Sequence, residues 1–429
     1  MPVIAVIGAQ WGDEGKGKVI DLLAEKADVV ARFSGGDNAG HTIINPLGKF
    51  ALQLVPSGIF YPQTTCIIGN GAVVNPAVLL KEIDQLIQRN ISITSDNLII
   101  SDRTNLIMPY HLRQEALEEE ARGSKAIGTT LKGIGPAFAD KIARTGIRAG
   151  DLLDKDTFLE RLRPILESRN TVLTRVYGAE PLSLDEVFNQ YCEYGERLVP
   201  HIRETTVMID DALKQGKSVL LEGAQGTLLD PDFGTYPYAT SSSPLAGGAC
   251  VGVGIGPTKI DAVLGVFKAY ITRVGAGPMP TDLGDETGEL IRKLGNEYGT
   301  VSGRPRSCGW FDAVAARFSA RVNGFTGAII TNLDIFDVFP SLKICTAYEL
   351  DGKTIDYFPG NIEALARCKP VYEELPGWQT ATSEILQFEK LPAETRQYIN
   401  RLEELIGCPV NLISTGPERR QTIEKTPIL

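Results

Sequence analysis

The segment that most constrains the fold is VIAVIGAQWGDEGKGKVIDLL, residues 3–23: an apolar run, a Gly-rich turn and the start of an amphipathic helix. An apolar run without polar alternation reads as a strand covered on both faces. A Gly-rich turn between such a strand and a helix is the outline of a phosphate loop, in which main-chain amides face anionic oxygens. Gly12, Gly15 and Gly17 supply such amides, and Lys16 and Lys18 add positive charge. The loop departs from the common G-x-x-x-x-G-K-[ST] pattern in two ways. Its span from Gly8 to Gly15 is two residues too long, and Gly17 stands where a Mg²⁺-binding hydroxyl would follow Lys16. It also carries two acids, Asp13 and Glu14. Mg²⁺ takes oxygen ligands, and Asp13 can supply one.

The same alternation continues along the chain. DVVARF, TCIIG, SVLLEG, GAIITN and CPVNLIS read as short buried strands that end in polar or Gly-rich turns. A helix is expected from about Gly15 to Lys26, and another over AVLLKEIDQLIQR with Pro76 in its first turn. The expected architecture is α/β: a large, mostly parallel central sheet flanked by helices, like that of phosphate-loop NTPases. Residues 151–216 read as a helical subregion outside the sheet, and Asp351-Gly352 as the turn of a small β-hairpin. With no long linker or repeat, residues 1–429 read as one domain. In open parallel sheets ligands bind beyond the carboxyl ends of the strands, so the polar turns are expected on one face.

Those turns carry the candidate chemistry. RFSGGDNAGHT offers Asn38, the Gly40 carbonyl, His41 and Thr42; the carbonyl suits Mg²⁺, and the imidazole can bond a phosphate or carry a proton. GTTLKGIGPAFADKIARTGIR offers Thr129, Thr130, Lys132, Arg144 and Arg148, LEGAQGT offers Gln225, and GTYPYATSS offers Thr240. Arg304 and Arg306 lie in a Gly/Ser-rich stretch suited to capturing carboxylates or phosphates bidentately. TNLD, 331–334, has the outline of a guanine-reading [NT]-K-x-D segment with Asn332 at the Lys position, and STGP follows the last strand. His111 and His201 lie in helical, charged surroundings and read as structural or solvated.

Composition excludes several classes. A net charge of -10 argues against a broad nucleic-acid or anionic-membrane surface. Seven scattered cysteines without a CxxC pair argue against a disulfide scaffold or zinc site and suit a reducing cytoplasm. MPVIAVIG has no basic lead, so no signal peptide is expected, and no apolar run reaches the ~20 residues that span a bilayer.

GAQWGDEGKGK, GGDNAGHT, VPSGIF, GTTLKGIGPAFADKIAR, EGAQGTLLDPDFGTYPYATSS, TRVGAGPMPT, GNEYGTVSGRPRSCGWFD and ISTGP occur in order from residue 3 to about 420. Together they resemble the adenylosuccinate synthetase family, and QWGDEGKGK separates that family from ordinary phosphate-loop proteins. The resemblance implies a cytoplasmic homodimeric ligase that joins IMP and L-aspartate with GTP and Mg²⁺, in the first committed step from IMP towards AMP. It also implies a 6-phosphoryl-IMP intermediate. It assigns catalysis to Asp13, Lys16 and His41, with Mg²⁺ on Asp13 and Gly40. IMP would meet Asp13, Glu14, Gly15, Lys16, Asn38, Ala39, Gly40, His41, Thr130, Gln225, Thr240, Arg304 and the neighbouring subunit's Arg144. GTP would meet Gly12 to Lys18, Gly40, His41, Thr42, Arg306, Asn332, Leu333, Asp334, Ser414, Thr415 and Gly416. Aspartate would meet Thr300, Val301, Ser302, Gly303 and Arg304. The chain departs from the family pattern at Asn332, usually Lys; at Val301 and Ser302, often two threonines; and at Ser307, frequently Arg. A GTP-binding regulatory switch would need no second nucleotide site and no aspartate loop. The further polar loops favour a ligase.

Overall fold

A computed structural model describes residues 2–123, 126–299 and 303–428 of the chain. Its centre is a sheet of ten strands. From one edge they run Thr422–Glu424, Val410–Ser414, Gly327–Thr331, Ala262–Lys268, Val3–Gly8, Val219–Glu222, Val29–Arg32, Thr65–Ile68, Leu98–Ser101 and Ile202–Arg203. All neighbours pair in parallel except the edge strand Thr422–Glu424, which is antiparallel to Val410–Ser414. The strands read as continuous apolar runs because both faces are covered: Ala5 and Ile7 enter one core, and Val6 enters the other.

The helix after the first loop spans Lys16–Ala24, with Gly15 capping it at φ 86°. It is shorter at its carboxyl end than the expected run to Lys26. Pro76 opens the helix Pro76–Gln88, and the Asn75 side chain accepts from the Ala77 and Val78 amides.

Residues 151–216 are mostly helical, in Lys155–Arg175, Leu184–Leu198 and Thr205–Lys214. They also contain Ile202–Arg203, which pairs with Leu98–Ser101 and so joins the main sheet. The expected hairpin is present: Leu350 pairs with Lys353 across Asp351-Gly352. Its first strand, Ser341–Leu350, also pairs with Lys369–Pro376, and Phe311–Asp312 completes a four-stranded sheet. Seven cysteines are free. Among the described residues no helix is long and apolar enough to cross a membrane.

The sheet register places charged and polar side chains side by side at the carboxyl ends of the strands. Glu222 aligns with Arg32, and Lys268 with Thr331. Glu82, buried on Pro76–Gln88, supports this end from outside the sheet. Its carboxylate accepts from the amides of Gln53 (2.8 Å), Leu54 (2.9 Å) and Val55 (3.3 Å). Those amides lie just before Ser57, so Glu82 fixes the segment that delivers Ser57 to the strand ends. Glu82→Ala leaves buried donors unpaired and is expected to cost about 3 kcal/mol. Chemical denaturation measures this, and a loss below about 1 kcal/mol would show that the segment is held by other means.

Candidate active site

The first loop closes on Glu14. This side chain is 0% exposed; its Oε1 accepts from the Gln10 amide (3.0 Å) and the Gly12 amide (2.9 Å), and its Oε2 meets Lys16 Nζ at 2.6 Å. Thr331 Oγ1, on a neighbouring strand end, donates to the Glu14 carbonyl at 2.6 Å. The turn is tight enough to exclude a side chain at Gly8, where a Cβ would lie 2.3 Å from the Gln225 carbonyl oxygen.

Asp13 faces the other way. It adopts φ 58°, and its side chain is 37% exposed. Its Oδ2 meets Arg306 Nη2 at 2.8 Å. Arg306 in turn meets Glu297 Oε2 through Nη1 at 2.5 Å. The two acids therefore do different work: Glu14 folds the loop, and Asp13 is presented to the cleft.

His41 approaches from the second loop and packs against the helix start, where a Cβ on Gly17 would lie 2.8 Å from its Cδ2. Its Nε2 is 2.9 Å from Ser57 Oγ and 3.6 Å from Glu222 Oε1. Ser57 donates to Glu222 through both its amide (2.9 Å) and its hydroxyl (3.2 Å), which leaves Ser57 Oγ to accept from His41 Nε2–H. Burial, with Arg32 and Lys16 nearby, pushes the His41 pKa down to about 3. Burial also pushes Glu222 up, and with the imidazole neutral its contact with Glu222 is not an ion pair.

The remaining loops converge as the strand order requires. Gln225, at φ 56°, donates from Nε2 to Asn38 Oδ1 at 3.2 Å and accepts from Ser242 at 3.3 Å. Thr240 Oγ1 is buried without a hydrogen-bond partner among the described residues. Arg304 Nη1 comes within 3.7 Å of where a Cβ on Gly128 would stand, so the two loops carrying Thr130 and Arg304 meet. Glu119 holds the first of these by accepting from the Gly128 (2.7 Å) and Thr129 (3.1 Å) amides. Ala39 and Gly40 lie on the loop just before His41, and Thr42 follows it on the strand His41–Asn45; all three are half-buried to exposed. Thr300, Val301 and Ser302 lie outside the described residues; Gly303 is exposed beside them.

Lys18 turns away from the first loop. Its Nζ donates to Ser414 Oγ (2.7 Å) and to the carbonyls of Gly416 (2.8 Å) and Gln421 (2.8 Å). Burial lowers its pKa to about 8, against the pull of Asp334 and Glu418. Asp334, Ser414 and Gly416 are thereby gathered around one ammonium, with Leu333 and Thr415 buried behind them. Asn332 sits at φ 56°, a left-handed conformation that Asn adopts more readily than most residues.

Arg144 caps the helix Ile134–Ala143 at φ 67° and is exposed, and the neighbouring Ile142 is 78% exposed. His111 is structural: its Nδ1 accepts from the Met108 amide, and its Nε2 meets Asp140 at 2.9 Å. Residues that motif reading passed over are Arg32, Ser57, Glu222, Lys268 and Glu297. One signal was available, since Glu222 and Lys268 are charges at the ends of otherwise apolar runs. Among the described residues, no group of three or more His, Cys, Asp or Glu could hold a metal ion.

The chain is similar to known proteins along nearly its whole length. The chain matches the family model described as adenylosuccinate synthetase over residues 5–423. It is 59% identical to the adenylosuccinate synthetase of Dehalococcoides mccartyi, over 99% of this chain and 100% of the relative. It is 54% identical to that of Heliobacterium modesticaldum, over 99% of each chain. The fully ligated adenylosuccinate synthetase from Plasmodium falciparum superposes with a TM-score of 0.93 at 34% identity, covering 99% of this chain and 100% of that one.

Burial fixes the His41 charge state, and this can be checked directly. With desolvation and the neighbouring Arg32 and Lys16 pushing its pKa down to about 3, His41 is expected to stay neutral from about pH 8 down to about pH 5. Imidazole carbon NMR on labelled protein, assigned with a His41→Gln variant, should show no titration of that signal. An inflection above pH 5 would contradict the partly buried, cation-flanked environment.

Proposed function

The chain belongs to the adenylosuccinate synthetase family of GTP-dependent ligases, which join IMP to L-aspartate in purine nucleotide synthesis, and from that premise we propose how its residues carry the reaction. The carrying observation is that the loop's two acids are separated, with Glu14 consumed internally and Asp13 half exposed. Asp13 acts as general base towards N1–H of the IMP purine, which turns O6 into a nucleophile. O6 then attacks the γ-phosphorus of GTP to give 6-phosphoryl-IMP, and the aspartate amine displaces phosphate from C6. Arg306 leaves Asp13 when the base is needed. Lys16 stays at the loop to meet phosphate charge.

His41 donates to the phosphates. Arg32 and Lys16 depress its basicity in the free protein, and phosphate oxygens arriving beside it offset those cations. IMP is held by Asn38, Thr130, Gln225, Thr240 and Arg304; support comes from the Gln225–Asn38 bond and the unpartnered Thr240 hydroxyl. Arg304, with the segment Thr300–Gly303, holds aspartate. Arg306 and the Asn332–Asp334 and Ser414–Gly416 segments hold GTP.

Mg²⁺ fits the donor chemistry. One carboxylate oxygen of Asp13 and the Gly40 carbonyl are hard ligands, and an ion carried by nucleotide phosphates needs only one or two protein oxygens. It would supply charge neutralisation at the phosphates.

Residues 1–429 act as one domain, in a cytoplasmic homodimer whose partner supplies its Arg144. Two features support the pairing. Ile142 beside that arginine is 78% exposed, and Val251 is 75% exposed. They are joined at the surface by Lys141 donating to the Asn70 carbonyl and Asn70 donating to the Val251 carbonyl.

The test is an ultraviolet assay for adenylosuccinate in which IMP, aspartate, GTP and Mg²⁺ are omitted singly. Each omission is expected to abolish product. Asp13→Asn is expected to lower kcat at least about 100-fold while GTP still binds. GTP hydrolysis at full rate without IMP, or near-normal turnover by Asp13→Asn, would overturn the reading.

A further inference from the structure

Asp13 is tied into a buried charge cluster that the site assignments above leave without a role. Glu297 is 1% exposed and lies just beyond the helix Glu286–Leu294, at the base of the loop that carries Arg304 and Arg306. Its Oε1 accepts from Lys268 Nζ (2.6 Å) and Tyr270 Oη (2.5 Å), and its Oε2 from Arg306 (2.5 Å). Burial alone would raise its pKa, but Lys268 and Arg306 outweigh burial and hold it low. Lys268 is itself 2% exposed and ends the strand beside the first one. The main chain pins the same loop base: the Arg306 amide donates to the Glu297 carbonyl (3.0 Å), and the Gly299 amide to the Arg304 carbonyl (2.8 Å).

Arg306 therefore spans two acids of different kinds. Glu297 is buried and permanent, whereas Asp13 is half exposed and must be released for chemistry. We propose that Glu297 is a positioning residue for the reaction: it holds Arg306 from behind, against the end of the strand Ala262–Lys268, so that Asp13 can let go of it. Without the Glu297 carboxylate, Arg306 has only Asp13 as an anionic partner in this cluster, and the base stays masked. This role rests on the ligase reading above and adds to it a residue more than 280 positions from the first loop in sequence.

The consequence is a split between rate and binding. The side chain of Glu297 bonds Lys268, Tyr270 and Arg306, none of which is assigned to IMP, so the KM for IMP should hold while kcat falls. Glu297→Gln leaves the buried Lys268 without its carboxylate partner and can fail to fold. The double variant Lys268→Met/Glu297→Gln removes one charge of each sign, and it keeps the question open to test. Thermal midpoint, kcat and the KM for each substrate are measured on the wild type and both variants by adenylosuccinate formation, with IMP binding measured by calorimetry. The expected result for the double variant is a kcat at least tenfold below wild type, with IMP KM and IMP affinity unchanged within twofold. A smaller fall in kcat, or an IMP KM that rises as much as kcat falls, would overturn the role of Glu297. A wild-type sample that makes no product would instead reject the ligase reading itself.

Discussion

The site depends on one buried carboxylate that never meets solvent. Glu14 takes two main-chain amides and the Lys16 ammonium into the interior of the first loop. In an ordinary phosphate loop such amides are left for the ligand. Here the protein's own acid occupies part of the cradle, and the loop is longer to contain it. That settles the course of the chain through Gly12 and Gly15, and it turns Asp13 outward at φ 58°. A loop built only to bind phosphate would gain nothing from an outward acid; one that must also move a proton needs it.

Around this loop, charges are paired at the strand ends and beside them. Arg32 aligns with Glu222, and Lys268 bonds Glu297, which bonds Arg306. Buried ion pairs contribute little net stability, because removing two ions from water offsets their attraction. They hold direction, because a charge whose partner is fixed has few alternative positions. Ser57 and His41 are aimed by Glu222, and Arg306 by Glu297. The floor of the site is a set of short, directed contacts mounted on a parallel sheet whose register the hydrogen-bond ladder fixes.

Much of this was legible in the sequence where one residue type has one physical use. Strands buried on both faces appear as unbroken apolar runs, and the turns after them appear as glycines and polar residues. Asp351-Gly352 marked its hairpin because both positions take positive φ. The two-residue edge strand Ile202–Arg203 was not legible, since so short a segment has no period of its own and pairs only because Leu98–Ser101 is there. Lys369–Pro376 was hidden by its glutamates and flanking prolines, which suit a half-exposed strand and also suit a loop. The partners of Lys18 were not legible either: its Nζ donates to Ser414, Gly416 and Gln421, and nothing local in the first loop names residues about 400 positions away. The Asp13–Arg306–Glu297 chain was beyond reach, because nothing local in any of the three residues reports the other two.

The central claim is that Asp13 makes O6 of IMP the acceptor of the GTP γ-phosphoryl group. It is tested most directly by following that oxygen. With IMP labelled with heavy oxygen at O6, the account predicts that each adenylosuccinate formed releases one phosphate carrying the label. Unlabelled phosphate formed alongside adenylosuccinate would contradict it, since the γ-phosphoryl group would then have gone to water and O6 would have left by another route.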